Sequence, residues 1–226
     1  MENYRIGMLL FPELTLLDFV GPYDVFTKAN CFEIFVVSEN GGMIKAEGGL
    51  LIKADFSFED CPDTDIIFVP GGKGITPLLN NPVYISFLQK QAKTAKYFTS
   101  VCTGSLLLAT AGLLKGYRAT THWRSLELLR LLGIETLQER VVTDRNRITG
   151  GGVTAGIDFG LSLTALIGGE ELAKSVQLQM EYTPAPPFDS GSPERAEHHL
   201  VEKVKILTKT SFDTRLKIIK EIMENA

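Results

Sequence analysis

The 226-residue sequence predicts an α/β fold: a mostly parallel central sheet with helices on both faces. Three observations predict it. Strand-like and helix-like segments alternate along most of the chain. The run Ile66-Ile67-Phe68-Val69 is apolar throughout and ends in Pro70-Gly71-Gly72, the pattern of a strand covered on both faces. The β-branched and aromatic stretch Tyr97–Val101 gives way at Cys102 to an Ala- and Leu-rich run, so a strand turns sharply into a helix there.

Element by element, residues 5–10 read as the first strand and 16–29 as a helix that Gly21-Pro22 interrupts. Residues 32–38 form the second strand. Gly41-Gly42 and Gly48-Gly49 bracket two short extended pieces, a small β excursion. After the strand at 66–69, residues 82–93 form an amphipathic helix, and the Cys102 strand and helix follow. Residues 123–132 are helical, 141–149 form a hairpin around Arg145-Asn146, and 153–167 and 170–180 are the last core helices. Residues 183–193, rich in Pro, Gly and Ser, form an extended loop. Residues 194–226 are charged with spaced apolar positions and are expected to form surface helices, so the chain divides into a domain over 1–193 and a C-terminal helical extension over 194–226.

Net charge is −4 and the isoelectric point is near 5.5, with no Lys/Arg cluster, which argues against a nucleic-acid partner. No apolar run reaches ~18 residues, so no membrane span is expected. The N-terminus lacks a basic region and a cleavage signal, and the protein is expected to be soluble and cytoplasmic. Cys31, Cys61 and Cys102 are an odd set without metal-ligand spacing, which fits a reducing compartment and no bound metal.

Cys102 is the candidate nucleophile. At a strand-to-helix turn, the free N–H groups of the helix start and the positive end of its dipole favour thiolate. Cys31 and Cys61 read as small buried hydrophobes. Asp18 stands among apolar neighbours; it is either a first-turn carboxylate facing the dipole or, if beside the thiol, an acid sharing one proton with it. The glycines at 71 and 72 either make a tight turn or let an N–H approach a reacting atom. With the Thr103 amide, such an N–H would stabilise an anion. His122 is the alternative base or a packing residue, and His198-His199 are expected to be solvated. Gly150-Gly151-Gly152-Val153 lacks the Lys of a phosphate-binding loop and reads as backbone approaching the Cys102 pocket, with Asp158 structural.

Taken in order, Val69-Pro70-Gly71-Gly72, Val101-Cys102-Thr103-Gly104 and Ala119-Thr120-Thr121-His122-Trp123 resemble the ThiJ/PfpI-like superfamily over residues 5–193. That resemblance implies the class I glutamine-amidotransferase-like fold, a flavodoxin-like three-layer sandwich. Leu17-Asp18-Phe19-Val20-Gly21-Pro22-Tyr23, the stretch from Ile148 to Asp158 and Glu181-Tyr182-Thr183-Pro184-Ala185-Pro186-Pro187-Phe188-Asp189 are similar to the isonitrile hydratase branch. AraC-type regulators carry a similar N-terminal domain but continue into a helix-turn-helix module, for which this chain is expected to be too short.

The resemblance implies Cys102 as nucleophile, Asp18 as acid/base and Thr103 as their active-site neighbour. Gly72 and Thr103 supply backbone N–H groups, and His122 and Val153 line the pocket. It further implies a homodimer acting on a small molecule, with no cofactor. The expected reaction is hydration of an isonitrile to an N-substituted formamide through a covalent Cys102 thioimidate. Two readings stand beside it: a glyoxalase/deglycase-like or amide-hydrolysing enzyme, which needs His122 at the Cys102 sulfur, and a non-catalytic thiol sensor, which needs a low-pKa exposed thiol.

Overall fold

A computed structural model describes residues 3–225. The chain opens with β1 (Tyr4–Leu9), α1 (Leu16–Ala29) and β2 (Phe32–Val37), then the excursion β3 (Gly42–Lys45) and β4 (Leu51–Ala54). β5 (Ile66–Val69), α2 (Pro82–Gln91), β6 (Tyr97–Val101) and α3 (Gly104–Thr110) follow. Next come β7 (Arg118–Ala119), α4 (Leu126–Leu131), β8 (Glu135–Thr136) and the hairpin β9 (Val141–Asp144) and β10 (Arg147–Gly150). The chain then runs through α5 (Ala155–Gly168), α6 (Glu170–Gln179), α7 (His198–Leu207) and α8 (Lys209–Glu224).

The main sheet has six strands in the order β2-β1-β5-β6-β10-β9, parallel except for the β9–β10 hairpin. α1, α5 and α6 pack together on one face, and α2, α3, α4 and α8 occupy the other, giving three layers. Parallel pairing leaves both faces of β5 covered, which is why all four of its residues are apolar and buried. Phe26 of α1, Phe68 of β5 and Phe159 of α5 meet between sheet and helices, with the Phe68 and Phe159 rings stacked at 5.4 Å and Phe26 edge-on to both. Each ring fully withdrawn from water contributes about 2–3 kcal/mol.

α1 is continuous across Pro22, against the expected interruption. Proline removes one helical hydrogen bond, but Pro22 packs against Gly156 of α5 and Gly21 lies against Ile157. Packing of α1 on α5 outweighs the local penalty. The C-terminal segment also departs from expectation: α8 is not merely superficial. Its Arg215 and Ile219 are buried, because it packs on α4 and on the 3₁₀ turn Lys73–Leu78 that follows β5.

Parallel strands end on the same side, so the exits of β5 and β6 lie next to each other, Val69 opposite Ser100. β10 pairs with the other side of β6 and sets Gly150 opposite Val101. The residues following these three strands converge on one point.

Candidate active site

At that point stands Cys102, with a φ of 54°. A side chain in this left-handed region costs about 1–2 kcal/mol, and the neighbours fix it there. The Cys102 N–H donates to the carbonyls of Gly150 (3.1 Å) and Gly151 (2.8 Å). Its own carbonyl accepts from the hydroxyls of Thr121 (2.8 Å) and Ser105 (3.2 Å). The sharp turn delivers the sulfur to the backbone N–H groups of Thr103 and Val153, both of which stabilise negative charge on it.

The turn after β5 presses against this elbow. A Cβ on Gly71 would stand 2.6 Å from the Thr103 nitrogen and 2.8 Å from Cys102 Cβ, so only glycine permits the approach. Gly72 has φ 134° and a Cβ there would meet the Thr15 nitrogen at 2.4 Å. The two amides are both engaged. Gly71 N–H donates to Asp18 Oδ2 (3.1 Å), and Gly72 N–H donates to Thr103 Oγ1 (3.0 Å). The Gly72 amide is therefore not a free anion donor beside Thr103, contrary to expectation; it ties the turn to the elbow.

Asp18 sits in the first turn of α1, wholly buried. Its Oδ2 takes the Gly71 bond, and its carboxyl interacts with the Cys102 side chain, while Oδ1 has no well-formed hydrogen-bond partner. Burial pushes the Asp18 pKa up to about 7, against lowering by Cys102 and Gly71 and with a small push from Glu47. Burial, then the Asp18 charge, pushes the Cys102 thiol up as well. The expected resting thiolate is thus corrected. The helix-start amides favour thiolate, but desolvation and a neighbouring carboxylate push the other way and outweigh them.

Above the sulfur lies a cavity of about 220 Å³, with Cys102, Thr103 and Val153 in its floor. His122 lines it too, but as an acceptor: its Nδ1 receives the Arg124 N–H (3.2 Å). Burial and the neighbouring Arg215 and Arg124 hold its pKa down at about 4, so the ring is neutral. No hydrogen bond joins His122 to Cys102 among the described residues. The far wall comes from α8. Arg215, 8 % exposed, donates from its guanidinium to the Gly72 carbonyl (2.8 Å) and to Thr76 Oγ1 (2.9 Å). Phe212 lies under the Arg124 guanidinium, 3.8 Å from the ring centroid.

The DJ-1/PfpI family pattern matches residues 4–166. The chain belongs to the DJ-1/PfpI family. It is 47 % identical over 222 residues to isonitrile hydratase of Pseudomonas putida, covering 98 % of this chain and 96 % of that one. A ThiJ/PfpI family protein from Pseudomonas syringae has the same fold, with TM-score 0.93 and 38 % identity over 97 % of this chain and 91 % of that one. The HTH-type transcriptional regulator GbdR of Pseudomonas aeruginosa is 32 % identical over 185 residues, but this chain spans only 50 % of its length.

Of the residues singled out from the sequence, this DJ-1/PfpI protein gathers Cys102, Asp18, Thr103, Gly72, His122 and Val153 at one place. Asp158 is elsewhere, bonded to Arg140 and to the Tyr182 hydroxyl (3.0 Å). Cys31 and Cys61 are buried and free, and His198 and His199 are exposed. Sequence reasoning missed Arg124, Phe212 and Arg215. One signal pointed to the last two: Phe212, Leu216 and Ile219 recur at helical spacing, so α8 had to bury a face, and Arg215 borders it.

Proposed function

We propose that the protein hydrates isonitriles to N-substituted formamides, with Cys102 as nucleophile and Asp18 as the acid/base. The observation that carries the reading is the Asp18–Cys102 pair beneath the cavity: a carboxyl, not an imidazole, is the titratable side chain that interacts with the sulfur. The 47 % identity to an isonitrile hydratase over nearly the full length supports it.

The two groups hold one proton between them. With the proton on Asp18 and the charge on Cys102, the terminal carbon of R–N≡C accepts the proton while the sulfur lone pair forms the C–S bond, giving R–N=CH–S–Cys102. The Asp18 carboxylate then takes a proton from water, hydroxide adds to the carbon, and Asp18 passes that proton to nitrogen. The tetrahedral R–NH–CH(OH)–S–Cys102 collapses: its hydroxyl proton returns to Asp18, the C–S bond breaks, and R–NH–CHO leaves. The Thr103 and Val153 amides stabilise the sulfur whenever it carries charge. Thr103 Oγ1 holds the Gly72 turn in place.

The rival assignments lack support of this kind. An amidase or deglycase using His122 needs that ring at the sulfur, and a redox sensor needs an exposed, low-pKa thiol, whereas Cys102 is buried and its thiol is pushed up. The protein is read as a cytoplasmic homodimer that acts on a small molecule. Leu17, Val20 and Tyr23 on the outer side of α1 are each more than a third exposed, an apolar face suited to a second copy. Among the described residues no helix is long and apolar enough to cross a membrane.

The test is turnover of p-nitrophenyl isonitrile, followed by mass spectrometry. The expected result is formamide product with a transient adduct on Cys102, and no turnover by Cys102→Ala. Hydration by Cys102→Ala at the normal rate would overturn the mechanism.

A further inference from the structure

The charges on the cavity wall do not balance. Among the described residues, Lys73, Arg124 and Arg215 are its cationic side chains. Glu47 answers Lys73 directly, Oε1 to Nζ at 2.8 Å. Among the described residues, the other acidic group at the site is Asp18, beside the Cys102 thiol. Among the described residues, neither arginine has a carboxylate within ion-pair distance. Arg215 donates to a carbonyl and a hydroxyl, both neutral. Arg124 rests on the Phe212 ring, and its Nε is buried without a hydrogen-bond partner. The nearby Glu202 carboxylate feels Arg124 but is bonded to Lys205 at 2.8 Å and does not line the cavity. His122 adds no charge of its own: its ring is neutral, with Nδ1 accepting the Arg124 backbone N–H.

Two guanidinium groups line one small cavity and repel each other, and the buried Arg215 has lost much of its hydration. A net positive wall opposite the nucleophile is the arrangement that an anionic ligand completes, because guanidinium donors match a carboxylate fork. We propose that the preferred substrates are isonitriles bearing a carboxylate, which Arg124 and Arg215 hold while the isonitrile carbon meets Cys102 Sγ. This assignment rests on the hydration reading and narrows it from isonitriles in general to acidic ones. The reaction is unchanged: with isocyanoacetate, one water adds and the product is N-formylglycine.

The test compares kcat/KM for isocyanoacetate and isocyanoacetamide, which have nearly the same shape and differ by one charge, with p-nitrophenyl isonitrile as the reference substrate. The expected result is a preference for the acid of about tenfold or more, from one partly desolvated ion pair. Arg124→Gln is expected to reduce that acid-to-amide ratio severalfold, and Arg215→Lys, which keeps the charge but loses the fork, to reduce it less. Equal turnover of acid and amide, or a ratio that Arg124→Gln leaves unmoved, would overturn the assignment while the hydration reading stands. No turnover of any of the three isonitriles would overturn the hydration reading and this assignment with it.

Discussion

At the scale of single residues, the site depends on where one proton resides. The folded protein raises the Asp18 pKa from 3.8 to about 7, so the group binds its proton more tightly folded than unfolded. Its contribution to stability is therefore complete below pH ~4 and lost as the pH rises through about 7. Comparing Asp18→Asn with the parent by urea denaturation should show the difference moving in favour of the variant by on the order of 3 kcal/mol between pH 4 and 8. Activity should follow the same group: kcat/KM for a neutral isonitrile should rise with pH through about 7, as the pair gives up the first of its two protons and reaches the singly charged form that reacts. Asp18→Asn should lower the rate about 10²–10⁴-fold; a variant with undiminished activity would exclude Asp18 as proton donor. Gly71 is a second single-residue test. An alanine there places a methyl group against both Cys102 and the Thr103 nitrogen, so Gly71→Ala should cost a few kcal/mol in stability and most of the activity.

At the scale of elements, α8 is the one whose role is least expected from its composition. A charged helix near the end of a chain reads as a surface element, yet Ile219 is fully buried and Arg215 reaches the turn after β5. Ile219→Ala should destabilise the protein by about 2–4 kcal/mol in a thermal or urea melt. It should also raise the rate at which Cys102 reacts with a small thiol reagent, because a loosened α8 uncovers the cavity. Unchanged thiol reactivity in a destabilised variant would mean that α8 supports the fold without guarding the sulfur. The 3₁₀ turn Lys73–Leu78 beneath α8 is held on one side by the Gly74 N–H bond to the Glu13 carbonyl (3.0 Å) and on the other by Arg215 of α8, which donates to Thr76 Oγ1 (2.9 Å).

At the scale of the whole molecule, most of the fold was legible because its signals are local. The all-apolar β5, the alternation of strand and helix, and the Cys102 junction each follow from a few neighbouring residues. Asp18 was legible as an oddity, a carboxylate among apolar residues, but its partner lies 84 positions away, and only the sheet order brings them together. That burial opposes a Cys102 thiolate was not legible, because burial is a property of the packed molecule, not of the turn. Arg124 and Arg215 were missed for the same reason: nothing in either local sequence says that an arginine faces a cavity. The turn at residues 70–72 joins these distant parts. One peptide stretch is gripped by Asp18 from α1, by Thr103 from the elbow and by Arg215 from α8. A shift of α8 that moved Gly72 would therefore reach the contacts of Asp18 and of Thr103 through the same two residues, so a guest seated against α8 would meet the acid and the sulfur by way of a single short strap of backbone.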